Sequence, residues 1–426
     1  MSVLKFRGRP NVVLHKVLGK GAYGVVCNPA LKNCSENGAS IEHSDKFVSK
    51  IVYNKKMYNK TLRNYEHIAN IMEDDIYKAY RHNERIKSAL PFELSKHLNT
   101  HKNTNTVYAV RLPYLGVSIE NMIDRNGKAT LDQFRHTPFH LLMAQFYKCH
   151  RQIALLQEKG YIHGDIRLPN VLWNPSTKGL HIIDFDMLGT YDEFEMNNTV
   201  FSGHFSYPPE TLLISDKSQY TPEKWVKTNI AAHNSELFAA AFELTDGNEM
   251  LELVELANSE NDIYLKTQDK NIYTAIKQAT YPRFDSFGFG VVIGTLFTFA
   301  YPGAFDRQSD AFTRNLDQLL RNGEELYSEE YLTLISNTIK ELVMIYRHMI
   351  EFMIEERTDA ITSFSDMKTV YEWFVTEHNK LMPDQPIRVL PDNEIGKNQK
   401  MGGNQKMGGR RTKRRNMKKR ITKKRT

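Results

Sequence analysis

A segment near the middle of the chain carries side chains whose types and spacing suit the transfer of a phosphoryl group. Asp165 follows His163 by two positions, Asn170 follows Asp165 by five, and Asp184 lies fourteen residues further on between apolar neighbours. Asp165 offers a carboxylate that could accept a hydroxyl proton. The amide oxygen of Asn170 and the carboxylate of Asp184 are hard ligands of the kind that Mg²⁺ prefers, together with substrate phosphates. The pattern HxDxxxxN followed by such an aspartate therefore predicts a metal-assisted phosphoryl-transfer site.

A second candidate site lies close to the N-terminus, where Gly19, Gly21 and Gly24 form a GxGxxG pattern. In a dinucleotide-binding loop a helix would start directly after these glycines, but the next residues are Val25 and Val26, which favour a strand. Glycines without a Cβ allow backbone amides to close over phosphate oxygens. The pattern therefore predicts a phosphate-covering hairpin, although an ordinary glycine-rich hairpin would have the same sequence.

The elements that must position these residues change in kind along the chain. Strands and one amphipathic helix precede a turn near residue 116, and the chain is mostly helical after it. This shift predicts a two-lobed α+β fold with a ligand cleft between a small β-rich lobe and a larger helical lobe. The predicted elements are strands over Val12–Leu18, Gly24–Cys27, Lys46–Tyr53 and Val107–Leu115, a helix over Lys60–Met72, a turn over Pro113–Gly116 and a helix over Phe139–Lys159.

We place the small lobe at residues 1–115, the helical lobe at 116–390 and a tail at 391–426. An insertion in the helical lobe is expected at about 211–281, either as surface decoration or as a platform for a substrate or partner. Phe287–Phe305 is uncharged over 19 residues, which is long enough to cross a bilayer. Its internal glycines and Pro302, and the aspartates on both sides, favour a buried central helix and no membrane span.

Taken together, these motifs resemble those of the eukaryotic-type protein kinases, over nearly all of Val12–Phe374. The resemblance implies ATP and Mg²⁺ as cofactors and a protein as the phosphate acceptor. It also implies a role for each motif residue. Asp165 is the catalytic base, Arg167 and Lys50 are catalytic cations, and Asn170 and Asp184 are the metal ligands. The nucleotide site comprises Gly19, Lys20, Gly21, Gly24, Val26, Lys50 and Glu66, with Glu66 as the partner of Lys50 and Glu73 as its alternative.

The same resemblance covers three further positions. Asp285 would hold the backbone of the catalytic loop, and Arg357 would pair with Glu210 at the end of the activation segment. Arg167 stands where kinases specific for serine and threonine have lysine, so Ser or Thr is the expected acceptor. The HGD and IDFD segments also resemble small-molecule kinases of the aminoglycoside and choline type, which form the alternative class. A catalytically inactive kinase fold that acts as a scaffold is the third hypothesis.

Two positions depart from the kinase pattern. Gly164 replaces an arginine that receives an activating phosphate in relatives, so we expect activity without phosphorylation at Thr199, Ser202 or Ser206. Asp186 replaces the glycine of the DFG motif and adds negative charge beside the metal. We expect this second change to affect conformational switching more than metal binding.

Net charge is unevenly distributed along the chain. Lys397–Thr426 contains 14 Lys and Arg and no acidic residue, whereas the rest carries 43 basic against 50 acidic residues. We expect this tail to be disordered when free, and either to bind nucleic-acid phosphates without regard to sequence or to act as a nuclear import signal. Three cysteines and no apolar leader segment indicate a cytoplasmic or nuclear protein that is not secreted. Cys27, Cys34 and the tail resemble protein kinases of giant DNA viruses, which would place the protein in a host cell or virion.

Overall fold

The computed structural model describes the N-terminal strands, most of the helical part and the segments between them that carry Asp165, Asn170 and Asp184. Its residues are 16–21, 24–28, 46–52, 55–72, 75–77, 80–81, 108–124, 127–194, 205–208, 270–304, 327–351 and 356–391, with single positions 240, 312, 316 and 320. The basic tail, the loop tip at 22–23, Glu73, Glu210 and nearly all of the predicted insertion lie outside the described residues.

An antiparallel sheet of five strands forms the N-terminal part, in the order β1-β2-β3-β5-β4. Its strands are β1 (Lys16–Gly21), β2 (Gly24–Asn28), β3 (Phe47–Val52), β4 (Tyr80–Arg81) and β5 (Tyr108–Pro113). Gly21 pairs with Gly24, which confirms the predicted glycine-rich hairpin. A Cβ at Gly24 would lie 2.1 Å from the carbonyl oxygen of Ile51, so glycine permits the close approach of β2 and β3.

Helix α1 (Lys55–Met72) packs against this sheet and begins five residues earlier than the sequence predicted. Its apolar residues recur at helical spacing, as in Leu62, Tyr65, Ile68 and Met72, which are all buried. Three further buried residues belong to the same stripe, and two of them, Thr61 and Asn64, are polar. Buried polar groups require hydrogen-bond partners, so these two side chains need acceptors or donors in the interior.

The C-terminal part is mainly helical, with two small sheets that flank the segments carrying Asp165, Asn170 and Asp184. Strands β6, β8 and β9 form one sheet, and β7 pairs with β10 in the other. The elements are β6 (Val117–Ser118), α2 (Ile119–Ile123), α3 (Lys128–Arg135), α4 (Phe139–Glu158), β7 (Tyr161–Ile162), β8 (Val171–Asn174), β9 (Gly179–Ile182), β10 (Gly189–Thr190), α5 (Lys270–Ala300), α6 (Glu329–Met349) and α7 (Ala360–Leu381).

Helix α5 confirms the predicted buried central helix, although it ends at Ala300 and not at Phe305. Pro302 and Gly303 follow after Tyr301, and Gly303 has a positive φ of 85°, which does not continue a helix. Phe287, Phe289 and the residues that follow are almost completely buried against the neighbouring helices. Within the described part of the chain, no helix combines the length and apolar character that a membrane crossing requires.

The fold is a mixture of helix and sheet, with a small strand-rich N-terminal part and a helical C-terminal part, as the sequence predicted. Tyr114 to Gly116 connect the two parts, and the amide of Tyr114 donates a hydrogen bond of 2.8 Å to the carbonyl of Lys46. This architecture is consistent with a kinase-like fold.

Candidate active site

The loop that carries Asp165 follows β7 and is held by a buried carboxylate on α5. Asp285 accepts hydrogen bonds from the backbone amides of His163 (2.6 Å) and Gly164 (3.0 Å), one on each carboxylate oxygen. The imidazole of His163 lies 3.0 Å from the carbonyl of Ile183, just before Asp184. The predicted role of Asp285 in holding the loop backbone is thus confirmed.

Asp165 lies on this loop with both carboxylate oxygens engaged. The amide nitrogen of Asn170 donates to its Oδ2 and to its backbone carbonyl, each at 2.8 Å. Its Oδ1 accepts a hydrogen bond from the hydroxyl of Tyr207 and lies 3.0 Å from Nε of Arg167. These contacts fix the orientation of the carboxylate, and they bring together the predicted base, one predicted cation and one predicted metal ligand.

The surroundings of Asp165 favour a proton acceptor. Burial raises the pKa of this carboxyl above its ordinary value, although Arg167, Tyr207 and Asn170 each favour the charged form and oppose the increase. A general base works best when its pKa approaches the working pH. The contact from Tyr207 has no local signal in the sequence, because the tyrosine lies 42 residues from Asp165.

Backbone pairing brings Asp184 beside Asn170. Strands β8 and β9 form a hairpin in which Val171 pairs with Ile182, and the amide of Ile183 donates to the carbonyl of Asn170 at 2.9 Å. Asp184 then takes a left-handed backbone conformation with φ 68° and ψ 62°, which is uncommon outside glycine and is tolerated best by Asn and Asp. Such conformations are concentrated at functional sites.

Lys50 lies on β3 opposite Val26 of β2 and Val110 of β5, with only 6% of its surface exposed. Its ammonium nitrogen is 2.5 Å from Oδ1 of Asp184 and 2.8 Å from Oδ2 of Asp186. Burial alone would lower the pKa of Lys50, but these two carboxylates outweigh it and raise the pKa above the usual value. The lysine is therefore charged and lies between two anions.

The partner of Lys50 differs from the prediction. Glu66 is exposed on α1, and Lys50 forms its ion pairs with Asp184 and Asp186 instead. The physical reason is the rotation of α1, because Tyr65 belongs to its buried stripe and the next residue is turned by about 100°. The sequence signal for Asp186 was present, as an extra acidic residue two positions after Asp184, but its partners are remote in the chain.

The residues that could bind a cation fit Mg²⁺ bound together with a triphosphate. Asn170 uses its amide nitrogen for Asp165, so its amide oxygen and the carboxylate of Asp184 are the atoms suited to a metal. In the described part of the chain, no three His, Cys, Asp or Glu residues form a metal-binding group by themselves. Mg²⁺ usually takes only one or two protein ligands and completes its shell with phosphates and water.

The glycine-rich hairpin is less completely defined. Gly19 and Gly21 lie on β1 and Gly24 lies on β2, the strand that pairs with β3, and Val26 of β2 pairs with Lys50. The backbone of Lys20 is part of β1. The predicted contacts with phosphate would come from the tip of the hairpin, which lies outside the described residues.

Two other expected features concern the loop surroundings. The predicted pair of Arg357 with Glu210 involves a residue outside the described part. Arg357 is 1% exposed, its Nε donates to the carbonyl of Glu351 at 2.7 Å, and its guanidinium lies 4.8 Å from the ring centre of Phe287. Arg357 is therefore a buried residue of the helical part, and these contacts are with that part of the chain.

The departure at Gly164 has a physical explanation. Its φ is +78°, and a Cβ at this position would come within 2.4 Å of the ring of Phe194. Phe194 is buried against Tyr281 and Phe284, so its ring has little room to move. The loop that carries Asp165 thus contacts an aromatic residue of the following segment at Gly164.

Comparison with known proteins agrees with this geometry. The phosphotransferase enzyme family has a model that matches residues 125–194, a stretch that includes Asp165, Asn170, Asp184 and Asp186. A search of curated proteins found no match. The family match supports a phosphotransferase activity and relates the chain to a kinase-like superfamily.

Proposed function

We propose that this protein is a protein kinase that transfers the γ-phosphate of ATP to serine or threonine with the help of Mg²⁺. The observation that carries the proposal is the arrangement of Asp165. Its carboxylate is held by Asn170 and Arg167 on a loop that a backbone hydrogen bond, from Ile183 to Asn170, joins to the segment carrying Asp184 and its lysine partner.

Each residue would have a limited task, because phosphoryl transfer depends mainly on positioning and on neutralising charge. Asp165 would orient the acceptor hydroxyl and take up its proton. Lys50 would hold phosphate oxygens, and Arg167 would add positive charge near the acceptor. Asn170 and Asp184 would hold Mg²⁺, which when bound neutralises the charge that develops on the phosphates.

Two features support a protein acceptor. Asp285 holds the amides of His163 and Gly164 from the central helix α5, which is the arrangement that the resemblance to protein kinases implies. Arg167 supplies a cation two residues after Asp165, where the resemblance places lysine in kinases specific for serine and threonine. A positive charge there favours an aliphatic hydroxyl as acceptor over a tyrosine.

A small-molecule acceptor is the second candidate, and the match of residues 125–194 to the phosphotransferase enzyme family favours it. The HGD and IDFD segments that this match contains are compatible with both classes. The acceptor itself must therefore decide between them.

Transfer of radiolabelled phosphate from ATP provides the test. The wild-type protein would be given a generic protein substrate, an aminoglycoside and choline in parallel, each with and without Mg²⁺. We expect label on protein, on phosphoserine or phosphothreonine, and none with Asp165→Asn. Label only on a small molecule would replace the proposal with the second candidate, and equal label from the Asp165→Asn variant would remove Asp165 from the mechanism.

A further inference from the structure

The two carboxylates that contact Lys50 are exposed to very different degrees. The side chain of Asp184 is 35% exposed, whereas that of Asp186 is 4% exposed. An exposed carboxylate can bind an incoming cation, but a buried one needs compensation from the protein itself. Asp186 is therefore suited to a permanent internal partnership, and Asp184 to an exchangeable one.

Helix α1 supplies the remaining contacts of this buried turn. The hydroxyl of Thr61 donates to Oδ1 of Asp186 at 2.9 Å, and the amide of Asn64 donates to the carbonyl of Phe185 at 2.6 Å. Thr61 and Asn64 are three positions apart, so they lie on one face of the helix. They are the polar members of the buried stripe, and both are used to hold the Phe185-Asp186 turn.

We propose that Asp186, held by Thr61, is the positioning residue for Lys50, in place of the glutamate that the sequence predicted on α1. This inference rests on the proposed function, since it assigns Lys50 to the phosphates of ATP. When Asp184 binds a cation, Asp186 remains as the carboxylate that keeps the ammonium group of Lys50 in place. The link between α1 and Lys50 then runs through the hydroxyl of Thr61 and not through Glu66.

The arrangement divides the two acidic residues of the IDFD segment between two tasks. Oδ1 of Asp186 accepts the hydrogen bond from Thr61, and Oδ2 is buried 2.8 Å from the ammonium nitrogen of Lys50, as an ion pair without hydrogen-bond geometry. A carboxylate that is buried and faces protein groups in this way is poorly placed to bind a metal. Asp184, in contrast, uses Oδ1 for Lys50 and is open to solvent.

The first experiment measures steady-state kinetics with ATP varied and then with the acceptor varied. Asp186→Asn keeps the shape of the side chain but removes its charge, and should reduce kcat/KM for ATP about 10- to 100-fold, as expected for loss of a residue that orients a catalytic group. The KM for the acceptor should stay unchanged. Thr61→Val should act in the same direction with a smaller effect.

Two further variants make the test specific. Asp192→Asn removes an exposed carboxylate from the same segment and should leave the kinetics unchanged. Glu66→Gln tests the alternative directly. The proposal is overturned if Glu66→Gln reduces kcat/KM for ATP more than Asp186→Asn does, or if Asp186→Asn raises the KM for ATP and for acceptor equally, as a general loss of structure would.

A measurement without nucleotide separates this inference from the proposed function. Urea unfolding of Lys50→Met, Asp186→Asn and the double variant should be strongly non-additive, because the two side chains form one buried pair. Additive changes would show that the pair is not coupled and would refute the inference even in an active kinase. If the coupling is present but the wild-type protein transfers no phosphate to any acceptor, the proposed function fails and the Lys50–Asp186 pairing stands without its catalytic role.

Discussion

Asp165 and Asp184 lie in the same site but in opposite electrostatic surroundings. Burial raises the pKa of Asp165 despite its contacts with Arg167, Tyr207 and Asn170. Burial would also raise the pKa of Asp184, but the charge and hydrogen bond of Lys50 outweigh it and lower the pKa. When the pKa values of neighbouring groups are shifted in opposite directions, the group with the raised pKa suits proton transfer and the other suits a permanent charge.

The difference arises from the cation that each aspartate meets. Lys50 is buried and lies 2.5 Å from Asp184, so water screens its charge weakly. Arg167 is 34% exposed, and water therefore reduces its effect on Asp165. In the part of the site around Asp165 and Arg167, which we call the catalytic-loop half, the negative charge of the carboxylate is thus weakly compensated. In the part around Asp184 and Lys50, the lysine half, it is strongly compensated.

Replacing Asp165 should have the largest effect of the substitutions that test this difference between the two aspartates. We expect Asp165→Asn to reduce kcat about 10²- to 10⁴-fold, the usual contribution of a general base, with the affinity for ATP changed little. Stability should not decrease, because the neutral amide avoids the cost of burying a charge. Pre-steady-state transfer, ATP binding and urea unfolding measure the three quantities. A parallel loss of ATP binding and transfer would contradict the assigned role.

Replacing Lys50 should reduce both the activity and the stability of the protein, because it changes the lysine half of the site. Lys50→Met leaves Asp184 and Asp186 without their buried cation, and loss of one partner of a buried ion pair costs about 3 kcal/mol or more of unfolding free energy. The exposure of Asp184 places the expected cost near the lower end of that range.

The loss of unfolding free energy in Lys50→Met should depend on pH. In the wild type the lowered pKa of Asp184 contributes stability above the unfolded-state pKa, and this contribution is lost as the pH falls through the folded-state value. Without Lys50, burial raises the pKa of Asp184, so protonation stabilises the folded variant. The destabilisation measured by urea should therefore be smaller at about pH 5 than at about pH 7. A larger loss at the lower pH would be inconsistent with this account.

The same division explains what could be predicted from sequence. Asp165 and Asn170 are five residues apart, and a short hairpin leads from Asn170 to Asp184, so local spacing was sufficient to find this half of the site. The strand-rich and helical parts of the fold also followed from composition and periodicity. Lys50, in contrast, lies 134 residues from Asp184 and was placed only through the family resemblance.

The sequence missed the partners of Lys50 and Asp186, because these contacts depend on how distant elements pack together. The face that α1 turns toward the sheet depends on how its buried stripe packs, and Glu66 is turned by about 100° from the buried Tyr65. The sequence predicted for Asp186 only an effect on conformational switching, because nothing near it in the sequence indicates its partner Thr61, 125 residues away. The two buried polar residues in the apolar stripe of α1 were a readable signal of a remote partner, but not of its identity.

A third prediction tests how the catalytic-loop half is supported. Gly164→Ala should reduce the unfolding free energy by about 2–3 kcal/mol, because it combines backbone strain at positive φ with a clash against the buried ring of Phe194. Gly160→Ala is the matched control. Gly160 has a similar φ of +69° but open space around its Cβ position, so only the backbone cost of about 1 kcal/mol should appear. Equal losses in urea unfolding would show that Phe194 does not constrain the loop.

The smallest predicted effect concerns the hydroxyl of Tyr207. Its hydrogen bond stabilises the charged form of Asp165, so Tyr207→Phe should raise the pKa of that carboxyl further. The base must be unprotonated to act, and activity is therefore lost as the pH falls through this pKa. The acid limb of the profile of kcat/KM against pH should move to higher pH by about one unit. Arg167→Gln should move it further, because its charge has the larger influence on Asp165.

Tyr281→Phe provides the control for this shift. Tyr281 belongs to the same aromatic cluster as Tyr207, but its hydroxyl donates to the carbonyl of Phe194 at 2.9 Å. Its loss therefore perturbs the packing of the segment without removing a contact with Asp165, and the acid limb should stay in place. If both tyrosine variants shift the limb equally, general loosening of the cluster explains the change. If neither does, the hydrogen bond from Tyr207 has no influence on the protonation of the base, and the weak compensation of Asp165 must come from Arg167 and Asn170 alone.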